Sequence, residues 1–409
     1  MKTNNNIPAY RFQGYTDAWE LRPLGEIGNT YTGLSGKTKD DFGHGDGRFV
    51  TYMNVFSNPI SLPEMVEAVE IDESQNTVRY GDVLFTTSSE TPEEVGMSSV
   101  WLGNTENTYL NSFCFGFRPV KKVNPYYLAY LLRSSGMRRK ISFLAQGISR
   151  YNISKTKMME LEISIPNENE QSAIGTFFST LDRHITLHQR KLDTLKQQKK
   201  TYLKLLFPAK GQTKPALRFQ GFEDDWEIKR ISDIGDIVTG NTPSTSNEDY
   251  YSKEGMMWVT PTDIDGLIIT DTNKKLSPEG EKVSRIVPAN SILVTCIASI
   301  GKNTLLLEAG SFNQQINAVV PNQSLYYPYF LLTQSYFWSE SMKRIAPAAT
   351  MQIINKNEFS NITVPLPSVP EQEAIGTFFQ TLDQEITQVE VKLASLKEMK
   401  KTLLRKLFV

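Results

Sequence analysis

Between residues 170 and 207 apolar side chains recur in alternating steps of three and four. They are Phe178, Leu181, Ile185, Leu192, Leu195, Tyr202 and Leu206, with His188 and Lys199 filling two gaps. The rhythm returns between 371 and 408 at Phe379, Leu382, Ile386, Val389, Leu393, Leu396, Leu403 and Leu407, with Lys400 as the one break. A three–four repeat held over four heptads specifies the seam of a coiled coil. Each stretch of 38 residues predicts a rod of about 57 Å. Each seam leucine stabilises by about 1.5–3 kcal/mol when buried. The two helices are expected to pair with each other; the alternative is that each packs on its own domain. Polar seam residues such as Lys199 and Lys400 fix register at some cost in stability.

Elsewhere the pattern is mixed. Leu161–Gln171 (LEISIPNENEQ) and Ile362–Gln372 (ITVPLPSVPEQ) each run as a short alternation ending in Pro, followed by an acidic helix start. Glu170 and Glu371 suit the positive end of the helix dipole. Asp82–Thr87 and Ser291–Thr295 are β-rich runs bounded by turn residues. Asn124–Arg133 opens with a cap residue and Pro at the first helical position, and Pro328–Leu332 repeats the pattern. The fold class that follows is α+β.

The chain is written twice. RFQGYTDAWELRPLGEIGN at Arg11–Asn29 returns as RFQGFEDDWEIKRISDIGD at Arg218–Asp236, and the helix Glu170–Phe207 returns at Glu371–Phe408. Between these borders the copies diverge. The division predicted is a first globular domain (1–166), a long helix (167–208), a second globular domain (209–367) and a second long helix (368–409). Pro208–Leu217 serves as the linker between halves. A pseudo-two-fold relation between the copies makes the helix pairing antiparallel, and mirror register sets Leu192 against Leu393.

Composition narrows the class. The 409 residues are 39% apolar and 22% charged, as in a globular protein of two ordinary domains. No apolar run is long enough to span a bilayer, the N-terminus has no secretory core, and two cysteines suit a reducing compartment. A cytoplasmic protein is expected. Net charge is −1, yet Arg118 to Lys157 carries ten Lys and Arg and no acidic residue. Such a stretch repels itself unless an anion is expected. If about six of these cations meet phosphate, log K falls with log salt at a slope near −5. A second basic run, Arg183 to Lys214, also reads as a solvated helix face.

Catalytic motifs are wanting. Asn124-Pro125-Tyr126-Tyr127 lacks the second Pro of an adenine methyltransferase motif and reads as a helix cap, and no P-loop lysine occurs. Glu227-Ile228-Lys229, a fragment of a nuclease-like arrangement, is matched by Glu20-Leu21-Arg22 in the shared border and reads as a strand. His184 and His188 stand one turn apart without further ligands, and His188 is Val389 in the copy; core packing is the better account.

The duplicated entry, Gly81–Gly96 (GDVLFTTSSETPEEVG), Val238–Ile264, Ser311–Pro321 (SFNQQINAVVP) and the two EQxAIGTFFxTLD helices together resemble the specificity subunits of type I restriction–modification systems. The resemblance runs in order along nearly the whole chain. It implies two target-recognition domains reading halves of a split double-stranded DNA site, held by an antiparallel helix pair, with no catalytic centre. It implies as partners two modification subunits that methylate adenine with S-adenosylmethionine, and restriction subunits that use ATP and Mg. No cofactor is expected in this chain itself. Base readout calls for Arg, Lys, Asn and Gln on loops, with further cations on phosphates. Candidates in the first domain are Thr87, Ser88, Ser89, Lys121, Lys122, Arg138, Arg139, Lys140, Arg150 and Tyr151. In the second they are Thr242, Ser244, Lys302, Gln314, Gln315 and Asn317. Gln314–Asn317 also reads as a polar turn ahead of a strand. A tandem-domain protein-interaction scaffold is the alternative function.

Overall fold

The structure is a computed structural model, and it describes residues 6–346 and 352–409. Two compact units divide the chain: Met1–Arg190 with Val391–Val409, and Lys191–Glu390. This partition cuts through the long helices Glu168–Leu206 and Val369–Lys406, so it crosses the four-segment division drawn from sequence. Packing groups each helix half with the sheet it covers.

In the first unit the similar borders close on each other, Glu20–Pro23 pairing antiparallel with Glu162–Ile165. The central sheet runs Gly28–Thr32, Cys114–Pro119, Val83–Thr86, Ser98–Val100, all antiparallel. A three-stranded sheet of Val66–Val69, Phe42–Val50 and Thr108–Leu110 stands beside it. The second unit repeats the scheme. Glu227–Arg230 pairs with Thr363–Leu366, and the central order is Gly235–Thr239, Ile316–Pro321, Ile292–Thr295, Asn303–Leu306, then Ile268–Ile269. The Glu-x-Lys fragment at Glu227 is therefore strand, as its copy at Glu20 is.

The duplicated motifs are the joints of this frame. Glu170 is fully buried and takes a two-pronged ion pair from Arg11 (Nε and Nη2, both 2.7 Å) plus the Trp19 indole N–H at 3.2 Å. Arg218 grips buried Glu371 the same way, at 2.7 and 2.6 Å. The next residue, Gln171 or Gln372, accepts the backbone N–H of Asn124 (2.9 Å) or Tyr327 (3.0 Å), the cap residue of the helix after the central sheet. Gly175 lets this helix, Pro125–Leu131, approach: a Cβ there would lie 2.7 Å from the Tyr126 Cβ. Gly376 does the same against Tyr327 and Phe330.

Within the first unit the two long helices run antiparallel. Phe178 meets Phe408 at 5.7 Å between rings, Asp182 meets Lys400 at 2.5 Å and Gln189 meets Lys397 at 3.2 Å. Within the second, Tyr202 meets Phe378 at 5.0 Å and Lys199 meets Asp383 at 2.5 Å. Phe178 also stacks on Tyr130 at 5.1 Å, so one seam serves both its partner helix and its own unit. Leu181, Leu192, Leu195, Leu206, Phe379, Leu382, Ile386, Val389, Leu393, Leu396 and Leu407 are likewise buried, while Ile185, Tyr202 and Leu403 are half-buried. The seam lysines are tied into the frame. Asp182 accepts from Lys400 and from the Tyr130 hydroxyl (3.0 Å), and Asp383 accepts from Lys199 and the Tyr329 hydroxyl (3.0 Å).

Candidate nucleic-acid interface

In each unit several polar loops gather at one end of the central sheet. In the first unit, strand Val83–Thr86 is anchored at its start by Asp82, which is buried and accepts Arg118 Nε (2.9 Å) and Nη2 (2.7 Å), the Tyr31 hydroxyl (2.7 Å) and the Arg79 amide (2.8 Å). Burial beside that carboxylate drives the Tyr31 phenol well above its ordinary range. At its far end the strand gives way to Thr87, whose amide (2.9 Å) and hydroxyl (2.8 Å) both donate to the Phe113 carbonyl. Ser88–Ser89 then pairs with Tyr151–Asn152, which brings two sequence candidates, the Thr87–Ser89 loop and the Arg150–Tyr151 turn, into contact.

The contact corrects the roles given to the serines. Ser88 and Ser89 are buried, the Ser88 carbonyl accepts the Tyr52 hydroxyl at 2.8 Å, and the Ser89 hydroxyl turns back to the Thr91 carbonyl. They are frame, and Arg150 is the exposed cation of the pair of loops.

In the second unit the same sheet end carries Gln315, whose carbonyl accepts the Cys296 amide at 2.8 Å, just as Phe113 accepts Thr87. Gln314 is exposed and accepts from the Thr242 hydroxyl, which joins two more candidates. Lys302 is here too: its amide donates to the Thr295 hydroxyl (2.9 Å) and its Nζ to the Pro261 carbonyl (3.0 Å). Ser244 is exposed and bonded to Ser246 (2.8 Å). Asn317 does not belong to this surface. It is buried in the strand, where it donates to the Cys296 sulfur (3.2 Å) and accepts from Thr239 (2.7 Å). Sequence reasoning passed over Thr262, exposed beside Thr260 (2.8 Å), and exposed Arg285, whose guanidinium donates to the Thr239 carbonyl (2.7 Å). The TPTD turn was a visible signal for the first; nothing local marked the second.

The basic run from Arg118 to Lys157 is not one surface. Arg133 donates to the carbonyls of Ser98, Val55, Phe56 and Asn58 at 2.6–3.0 Å, and Arg138 to those of Gly96, Glu93 and Val95 at 2.6–2.8 Å. Burial lowers Arg133 to about 9 and Arg138 to about 10, so both stay charged at neutral pH. Their charge is met by carbonyl dipoles, and Arg138 clamps the 93–96 loop instead of offering itself to phosphate. Lys122 pairs with Glu168 (2.6 Å) and Lys140 reaches the Glu162 carbonyl (3.2 Å). Lys121, Arg139 and Arg150 are exposed. The His188 ring nitrogen bonds the His184 carbonyl at 2.8 Å, and among the described residues no group of three ligand-type side chains is placed to hold a metal. No described helix is long and apolar enough to cross a membrane.

One frame built twice, with unlike polar loops at the same sheet end, defines a tandem recognition protein. Residues 16–197 and 223–398 each match the type I restriction modification DNA specificity domain, and the chain belongs to that family. Similar proteins include the putative type I restriction enzyme MjaX specificity subunit of Methanocaldococcus jannaschii, 24% identical over 388 residues that cover 90% of this chain and 87% of that protein. The type I restriction enzyme HindI specificity subunit of Haemophilus influenzae is 32% identical over 171 residues, 39% of this chain and 37% of that one. The crystal structure of the type I restriction–modification S subunit from M. genitalium shares the fold, with a TM-score of 0.66 at 16% identity over 98% of this chain and 99% of that one.

Proposed function

We propose that the chain is the DNA-reading subunit of a type I restriction–modification enzyme and contributes no catalytic group of its own. Each unit reads one half of a bipartite duplex site through the loops at its sheet end. The observation that carries this reading is that Thr87, Arg150 and Tyr151 in one unit, and Thr242, Lys302 and Gln314 in the other, gather at the same end of the central sheet. Exposed Lys121 and Arg139 supply phosphate contacts. The partners are two modification subunits, which methylate adenine with S-adenosylmethionine, and restriction subunits working with ATP and Mg. The assembly acts in the cytoplasm.

The test is methylation-sensitive sequencing of DNA from cells with and without this protein, followed by salt-dependent duplex binding of the chain with its modification partner. A split adenine-methylated motif that vanishes with the protein is the expected result. Binding that ignores sequence in the presence of the partner would make the chain a protein scaffold instead.

A further inference from the structure

We propose that Ile148 is an apolar wedge that enters the base stack of the half-site read by the first unit and kinks the duplex there. The inference rests on the recognition reading above.

The turn that carries Ile148 is tightly held. Gln146 and Asn152 exchange backbone hydrogen bonds of 3.0 and 2.8 Å across its base, and Tyr151–Asn152 is paired in turn with Ser88–Ser89. Gly147 sits at a φ of +140°, where a Cβ would lie 2.0 Å from the Arg150 carbonyl oxygen. A loop closed this tightly presents its tip in a defined direction. At that tip Ile148 is 96% exposed, the highest value among the exposed large hydrophobic side chains described. Phe143, just past the helix Ser135–Ser142, is 83% exposed, and Phe113, whose carbonyl anchors Thr87, is also exposed.

A single exposed apolar residue needs no explanation. Here Ile148 and Phe113 stand at the same sheet end as the candidate base-reading loops, exposed Arg150 lies two residues from Ile148, and exposed Phe143 follows exposed Arg139 by four residues in sequence. Proteins that kink DNA insert Ile, Leu, Phe or Met between base steps while flanking cations neutralise the phosphates drawn together. A β-branched side chain suits this use because its χ1 is restricted. Kinking also reads sequence without base contacts, since pyrimidine–purine steps unstack most readily. That adds selectivity beside a pair of strand residues, Ser88 and Ser89, that are buried.

The experiment uses the full chain assembled with its modification subunits. The probe is the duplex identified by methylation mapping, with 2-aminopurine placed at successive steps of each half-site and a FRET pair at its ends. The parent complex is expected to raise 2-aminopurine emission at one step and to shorten the end-to-end distance. Ile148→Ser should abolish both and weaken site-specific binding by about tenfold or more, the scale of burying one such side chain. Ile148→Leu should keep the kink. Because Ile148 is exposed, the melting temperature of each variant should match the parent. A parent complex on a straight, stacked duplex, or a kink that survives Ile148→Ser, overturns the wedge. If Ile148→Ser impairs assembly with the modification subunits while the kink persists, the patch is a protein contact and the wedge is equally overturned. A complex that selects no sequence refutes the recognition reading itself, which separates the two failures.

Discussion

The joint between each border segment and its long helix offers a test in which the two units should respond unequally. Glu170 and Glu371 are both buried and both held by two prongs of an arginine, Arg11 or Arg218. Removing one member of a buried pair leaves a charge uncompensated, at about 3–5 kcal/mol. Glu170 retains a second donor, the Trp19 indole at 3.2 Å, whereas the Trp226 indole N–H has no hydrogen-bond partner. Arg11→Ala should therefore cost about 3 kcal/mol and Arg218→Ala about 1 kcal/mol more, since a hydrogen bond to a charged group contributes on that scale. For units of roughly 200 residues a 3 kcal/mol loss lowers the melting temperature by about 6–12 °C. Urea unfolding followed by tryptophan emission reads both variants, and Arg11→Ala placed in a Glu170→Gln background should cost much less than it does alone. Losses below about 0.5 kcal/mol would refute the assignment of these pairs as the joints of the frame, and equal losses in the two units would refute the compensation by Trp19.

Gly175→Ala and Gly376→Ala should each destabilise by about 1–3 kcal/mol in thermal unfolding. Alanine is the better helix former, so a stabilisation would show that close approach to Tyr126 or Tyr327 is not what these glycines serve. Burial and the neighbouring Asp182 or Asp383 raise the Tyr130 and Tyr329 phenols above their ordinary value of 10.0. The folded state then holds protons that the unfolded chain releases, so this stability is complete below pH 10 and is lost as pH rises beyond it. Tyr130→Phe should reduce that alkaline slope by up to about 1.4 kcal/mol per pH unit, and an unchanged slope in urea titrations between pH 9 and 11 would count against the coupling. Arg150→Ala should weaken duplex binding and reduce the salt slope by about one with no change in melting temperature. Arg138→Ala should lower melting temperature and site-specific binding together, because it releases the 93–96 loop; a purely electrostatic loss there would reverse its assignment as a clamp.

Much of the frame was legible in the chain because its signals are local or periodic. A three–four apolar rhythm depends only on helix geometry, so the seam from Phe178 to Leu206 and its copy stand out without knowledge of what they touch. The duplicated entry and exit segments carry the resemblance to the family, and their Arg, Glu, Gln and Gly meet within one joint that occurs twice. The strand reading of Glu20-Leu21-Arg22 and Glu227-Ile228-Lys229 rested on position inside that repeat, and both are edge-pairing strands.

The candidate interface was legible only in outline. Whether a cation is free is decided by residues far away in sequence: Arg133 and Arg138 look like Arg139 and Arg150 along the chain, yet the first two are consumed by carbonyls from two distant segments, 55–58 and 93–98. The same holds for Ser88, Ser89 and Asn317, polar residues that strand pairing turns inward. Sequence alone determined the repeated plan and the helical seam, since periodicity and spacing are properties of the chain itself. Tertiary structure alone decided which charges remain exposed and which loops meet at the sheet end, because desolvation and hydrogen-bond satisfaction depend on neighbours that only folding brings together.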